Sequence, residues 1–264
     1  MAAANSEIMQ KLRAITNQLD ADFEGLRKDG EIFIVWTARK SSDPNDPDGP
    51  DDLGDPNEYQ RFDRIMFFAD GDFQSYGTDP VVGTDPAPGT TSVVHGNLAR
   101  ICYMIARNSD GKRALAQDKT KRVLARSQHI LTANPELKDF PDPNNLSDEE
   151  WLKWINRYQY DKITLAGWKN IPWDNKENIL SAITDVNVAN SDIDEAIRGL
   201  RVEPSDSDSI HMLLCEGVGE FKVQGWYEAQ QKWIPEVDPD GDGNITKTDS
   251  HFYLKEDEDE EEED

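Results

Sequence analysis

Two stretches rich in proline and glycine set the terms on which this chain can fold. Ser41 to Tyr59 repeats Asp-Pro dipeptides among glycines, and Gly77 to Thr91 is a second Pro/Gly segment. Proline removes a backbone donor and restricts the residue before it, so neither stretch can sustain a main-chain ladder. The fold must be built from the segments around them, with long polar loops as connections.

Those segments carry clear periodicities. Between Ser6 and Lys28, Ile8, Leu12, Ile15, Leu19, Phe23 and Leu26 recur at steps of three and four, which predicts an amphipathic helix ended by Lys28-Asp29-Gly30. Glu31 to Arg39 is rich in β-branched and aromatic residues and reads as a strand. Arg61 to Phe68 and Asp72 to Tyr76 are expected to form a hairpin over Ala69-Asp70-Gly71. Asn97 to Arg107 and Lys121 to Leu131 resemble each other and are paired as neighbouring strands. Ser147 is a good N-cap with Glu150 in the capping-box position, so Trp151, Trp154, Ile155 and Tyr158 fall on one helical face. Lys176 to Val186 and Asp192 to Leu200 are shorter helical candidates. Ser209 to Leu214 and Glu220 to Trp226 read as two strands joined near Gly217 and Gly219.

The expected fold class is therefore α+β: a long N-terminal amphipathic helix packed on antiparallel β-sheet, with a helical insertion and long acidic loops. The expected organisation is one α+β domain over residues 1–235, its insertion at 134–200, a metal loop at 236–250 and a disordered acidic tail at 256–264.

Charge narrows the partners. The 264 residues hold 28 Lys and Arg against 53 Asp and Glu, a net charge of −25, and Glu256 to Asp264 contribute nine of those acids in one run. The rest of the chain is acidic as well. Nucleic acid is excluded as a partner on this ground, and an anionic membrane surface is disfavoured. No run approaches the roughly 18 to 20 apolar residues of a membrane helix, and Met1 to Ser6 is not a signal segment, so the chain as written reads as soluble. Seven Trp, seven Tyr and nine Phe point to a folded body. Cys102 and Cys215 fit either one disulfide or two thiols.

One segment has ligand spacing. Asp238-Pro239-Asp240-Gly241-Asp242-Gly243-Asn244-Ile245-Thr246-Lys247-Thr248-Asp249 follows the calcium-loop pattern. Asp238, Asp240 and Asp242 supply carboxylates at positions 1, 3 and 5, and Gly243 permits the sharp turn. Asn244 offers its backbone carbonyl, Thr246 sits at position 9 and Asp249 closes the loop at position 12. A hard cation wants six to eight oxygens, and this spacing gathers them, so Ca2+ is the expected cofactor. Asp stands where a bidentate Glu is usual, and no convincing helix flanks the loop, which predicts a lone EF-like or dockerin-like site. Catalysis has no comparable signal. His95, His129, His211 and His251 are scattered, and neither a nucleophile elbow nor a phosphate-binding glycine loop occurs. Trp151, Trp154 and Trp168 could form a sugar platform, but Trp151 and Trp154 sit at helical spacing and read as core.

The order of segments resembles the ectodomain of a J-type minor pseudopilin of type II secretion. The resemblance runs over roughly residues 6–235 through the leading helix, EIFIVW, RFDRIMFFADGDFQSYG, NLARICYMIAR, KRVLARSQHIL and the Gly217-Val218-Gly219-Glu220-Phe221 to Trp226 segment. It implies a pilin-like fold, no catalytic residues, and a structural role in a short filament at the cell envelope. It further implies that Ser6 to Lys28 is the exposed half of a longer helix, whose apolar half anchors the protein in the inner membrane before assembly and is here replaced by Met1 to Ala4. The partners implied are other pseudopilin subunits, contacted through this helix. Two other readings stay open: a secreted calcium-dependent binding module or hydrolase, and an acidic soluble protein of a salt-adapted organism or virus.

Overall fold

The computed structural model describes residues 2–35, 38–40, 59–61, 63–75, 93–106, 122–135, 137, 159–172, 175–176, 200, 202, 209–228 and 231–234. Helix α1 (Ala2–Glu24) leads into β1 (Phe33–Val35), β2 (Ala38–Lys40), β3 (Tyr59–Arg61), β4 (Arg64–Gln74), β5 (His95–Ile105) and β6 (Val123–Leu131). Then follow β7 (Tyr160–Asp161), the short helix α2 (Leu165–Lys169), a 3-10 turn (Ile210–Met212), β8 (Leu213–Glu216), β9 (Gly225–Tyr227) and β10 (Lys232–Ile234). Six strands form the main sheet in the order β1-β4-β5-β6-β7, with β8 also on β6; β9 pairs β10 and β2 pairs β3.

Apolar residues run almost unbroken through β4 and β5 because both faces of this sheet are covered. Ile65, Phe67, Ala69, Ile101, Tyr103 and Ile130 pack on one face, with Leu19 and Leu26 against them. Met66, Phe68, Cys102, Met104, Val123 and Ala125 pack on the other, beneath Trp168, Leu200, Val202 and Met212. Each fully buried apolar side chain of this kind is worth about 1.5–3 kcal/mol. The expected pairing of the two central strands holds: Tyr103 lies opposite Arg126 and Arg100 opposite His129. Because a strand alternates faces, this register sends Arg126 and Arg100 to opposite sides of the sheet.

The expected architecture needs correction. The described residues are mostly antiparallel β-sheet, and α1 is the only helix of seven residues or more among them, so this is not the pilin-like α+β fold of a long helix packed on a sheet. The reason lies in where α1 touches the sheet. Its apolar stripe is right, but the helix is docked shallowly: Phe23 stacks on Phe67 at 4.8 Å yet stays 43% exposed, and Ile15 and Leu19 are partly buried. Lys11 lies near Cys215 of β8, and Met9 and Leu12 are about half exposed. Helix α1 also ends at Glu24, before the expected Lys28-Asp29-Gly30 stop. Gly25 is pressed against β4, its carbonyl accepting from the Asp70 N–H at 2.7 Å, and a Cβ there would fall 2.2 Å from the Asp70 oxygen.

Further expectations change for local reasons. Asp70-Gly71 is not a hairpin turn: β4 passes through it as one strand with a bulge between Asp70 and Phe73, which returns the Phe73 ring to the core. Glu31 to Arg39 divides into β1 and β2, which join different sheets. Ser209 to Leu214 begins with the 3-10 turn, and β8 pairs with β6 instead of with the Trp226 segment. Within the expected helical insertion, Tyr160–Asp161 adds to β6 as a parallel strand. Its Trp151 helix, the Asp192 helix but for Leu200, most of the Lys176 helix, both Pro/Gly loops but for Tyr59, and the acidic tail lie outside the described residues.

The docking of α1 centres on one carboxylate. Asp22, almost fully buried, accepts from Arg126 Nε at 2.6 Å and Nη2 at 2.7 Å, and from the Tyr103 hydroxyl. Burial, with Asp22 beside it, pushes the Tyr103 hydroxyl above its ordinary pKa. Removing one partner of a buried pair strands the other, so Asp22→Ala is expected to lower the unfolding free energy by about 3–5 kcal/mol in urea titration. Asp22→Asn, which keeps the shape but loses the charge, should fall between it and the parent.

Candidate functional site

The sequence-predicted metal ligands Asp238, Asp240, Asp242, Asn244, Thr246 and Asp249 lie outside the described residues, which end at Ile234 in β10. Among the described residues no three His, Cys, Asp or Glu side chains are grouped to hold a metal ion. His95, His129 and His211 sit on β5, on β6 and in the 3-10 turn, while His251 lies outside the described residues. Trp151 and Trp154 lie outside them too, and Trp168 is buried at 2% exposure, which removes it from any surface platform.

Register builds two polar clusters, one on each face. Opposite the α1 face, Arg100 Nη2 lies 2.9 Å from Asp161 Oδ2 and 3.1 Å from His129 Nδ1, and its guanidinium sits 5.5 Å from the Trp168 ring centre. Trp168 meets Phe68 edge-on at 5.5 Å, and its indole N–H donates to Glu31, which also accepts from Lys176 at 2.5 Å. The Thr164 hydroxyl caps α2 by accepting from the Gly167 N–H, which fixes the helix carrying Trp168. This cluster ties α2 and β7 to the sheet, a structural task. Burial pushes the Asp161 carboxyl up, but Arg100 first and His129 second outweigh it and hold it below its ordinary value.

The α1 face carries an open cavity of about 320 Å3, lined among the described residues by Gln74, Ser75, Arg126, Gln128, Gln159 and His211. Arg126 and Gln128 project from β6 as residues two apart, hence on one face, and Gln128 accepts from Arg126 at 3.0 Å and donates to the Gln74 carbonyl at 2.8 Å. Gln74 and Ser75 arrive from the end of β4 beyond its bulge. Gln159 and His211 approach where β6 lies between its partners, β8 over Val123 to Ala125 and β7 at Ile130 and Leu131. The side chains of Gln159 and His211 meet at 2.6 Å. Sequence reading missed these residues because four separate segments supply them. The single local signal was the polar run Arg126 to His129 inside a strand that is apolar at both ends, of which Arg126 and Gln128 share one face.

The cysteines are both free thiols. Cys102 lies on β5 opposite Ser127 and Cys215 on β8 opposite Leu124, so β6 separates them. Burial pushes the Cys102 thiol up to about 12, which makes it inert at neutral pH. No described helix is long and apolar enough to cross a membrane.

The Asp161 shift makes stability depend on pH with a defined sign. A depressed folded-state pKa contributes stability that is full above the unfolded carboxylate value near 3.9 and is lost as pH falls through the folded value. Asp161→Asn is expected to be less stable than the parent at pH 7, with the gap closing as pH drops through the carboxylate range. Thermal unfolding of both proteins across that range checks it.

No family model, curated protein or solved structure matches the chain.

Proposed function

We propose that this chain is a structural subunit that assembles with like subunits through α1, and that Ca2+ held by Asp238, Asp240, Asp242, Asn244, Thr246 and Asp249 orders the segment after β10. One observation carries the assembly reading. Helix α1 buries its apolar stripe only in part: Ile15 and Leu19 are partly buried, while Leu12, with Met9 nearby, is about half exposed. Leaving such residues in water is unfavourable, and a stripe at helical spacing fits a second helix. Like subunits offer the same stripe, so helix-to-helix packing between them covers both at once. The setting proposed is a pseudopilus-type filament of protein secretion, outside the cytoplasm; it rests on the order of segments in the sequence alone, since the fold is not pilin-like. The metal reading rests on the register of acidic and glycine positions in the loop, whose affinity as a lone site falls in the weak range of extracellular calcium modules.

Sedimentation velocity tests the assembly. The parent chain should show concentration-dependent association, and the Met9→Asp, Leu12→Asp double variant should stay monomeric with an unchanged melting temperature, because neither residue is in the core. A parent that is monomeric at every accessible concentration contradicts the proposal. For the metal, calcium should raise the melting temperature of the parent and leave that of the Asp240→Ala, Asp242→Ala variant unmoved. Calorimetry without heat, together with no thermal shift, would remove calcium from the account.

A further inference from the structure

We infer that the cavity over β6 is a binding site for a neutral, polyhydroxylated small molecule of about monosaccharide size. Its volume of about 320 Å3 reaches the range of small-molecule sites, which begins near 300 Å3. Every described lining residue carries a polar group beside its hydrocarbon stem: three carboxamides (Gln74, Gln128, Gln159), the Ser75 hydroxyl, the His211 imidazole and the Arg126 guanidinium. Carboxamides, hydroxyls and imidazoles offer both donors and acceptors, and sugar hydroxyls use both. Charge decides against ionic ligands. Arg126 is already balanced by the Asp22 carboxylate at 2.6 and 2.7 Å, which removes the attraction an anion needs. Among the described lining residues there is no carboxylate to draw a cation.

A second observation is independent of the volume. Gln159 is 1% exposed and has φ of 52°, in the left-handed region that favours glycine. A non-glycine residue in that region costs on the order of 1–3 kcal/mol, and such residues cluster at ligand sites, where the strain fixes a side chain. Here it holds the Gln159 amide against His211 at the cavity wall. None of the lining residues belongs to α1, so the inference stands apart from the assembly reading.

The test is an amide-resolved NMR titration of the parent chain with D-glucose and D-galactose, with glycerol as control. At least one sugar should give saturable shifts of the Gln128 and Gln159 side-chain amides that glycerol does not reproduce. Gln74 is exposed at the end of β4, so Gln74→Trp covers the mouth without entering the core and should weaken binding about tenfold or more. Gln159→Gly relieves the strained backbone and should lose binding while keeping the folded spectrum, which guards against a Gln74→Trp protein that fails to fold. Absence of saturable shifts with both sugars overturns the inference, leaving a water-filled cleft. So do shifts that glycerol reproduces, or shifts that persist in both variants.

Discussion

The buried carboxylate of Asp22 is what joins the helix to the sheet. Beside Gln18 of α1 itself, two strands supply its partners, Tyr103 from β5 and Arg126 from β6, which stand opposite each other in the antiparallel register. A slip of one residue would send Arg126 to the other face and leave Asp22 buried without its charge partner, accepting only from the Tyr103 hydroxyl and the Gln18 amide. Register of the central strands, seating of α1 and burial of one acid are thus a single problem with a single solution. Arg126 links that solution to the cavity, because it holds Gln128 while Asp22 neutralises it.

The other face repeats the principle with different chemistry. The same register places Arg100 beside His129, and β7 brings Asp161 to both. Buried charges are tolerated only when paired, and each pair here fixes an element that hydrophobic contact alone would let slide. Trp168 closes the cluster on the Phe68 side, its indole N–H donating to Glu31, which Lys176 holds in turn. A sheet secured on both faces by ion pairs suits a chain whose net charge of −25 works against compactness.

Legibility in the sequence divides along physical lines. The pairing of β5 with β6 was readable because Asn97 to Arg107 and Lys121 to Leu131 resemble each other in length and in their mixture of apolar and polar positions. The apolar stripe of α1 was readable too, but its packing was not: periodicity gives the face that prefers burial and says nothing of how much sheet lies under it. Asp70-Gly71 was misread as a turn because the local signal for a turn and for a bulge is the same, and only the fate of the Phe73 ring separates them. Arg100, Asp161 and Asp22 were invisible among 53 acids and 28 bases, since composition hides a pair that register alone creates. The cavity was illegible because its lining comes from four segments. Asp238 to Asp249 was legible as a motif, through fixed spacing along one short stretch.

Hydrogen exchange along α1 tests the account most directly: Asp22 seats the end of the helix, and the proposed assembly would cover the half-exposed Met9 and Leu12. In dilute monomer, amides near Ala21 to Gly25 should approach the protection of the sheet, while those around Met9 to Ile15 exchange through local opening. At concentrations where the chain associates, the Met9 to Ile15 amides should gain protection. Uniformly high protection along α1 in the monomer would contradict the account, because the helix would then be held along its whole length without any partner.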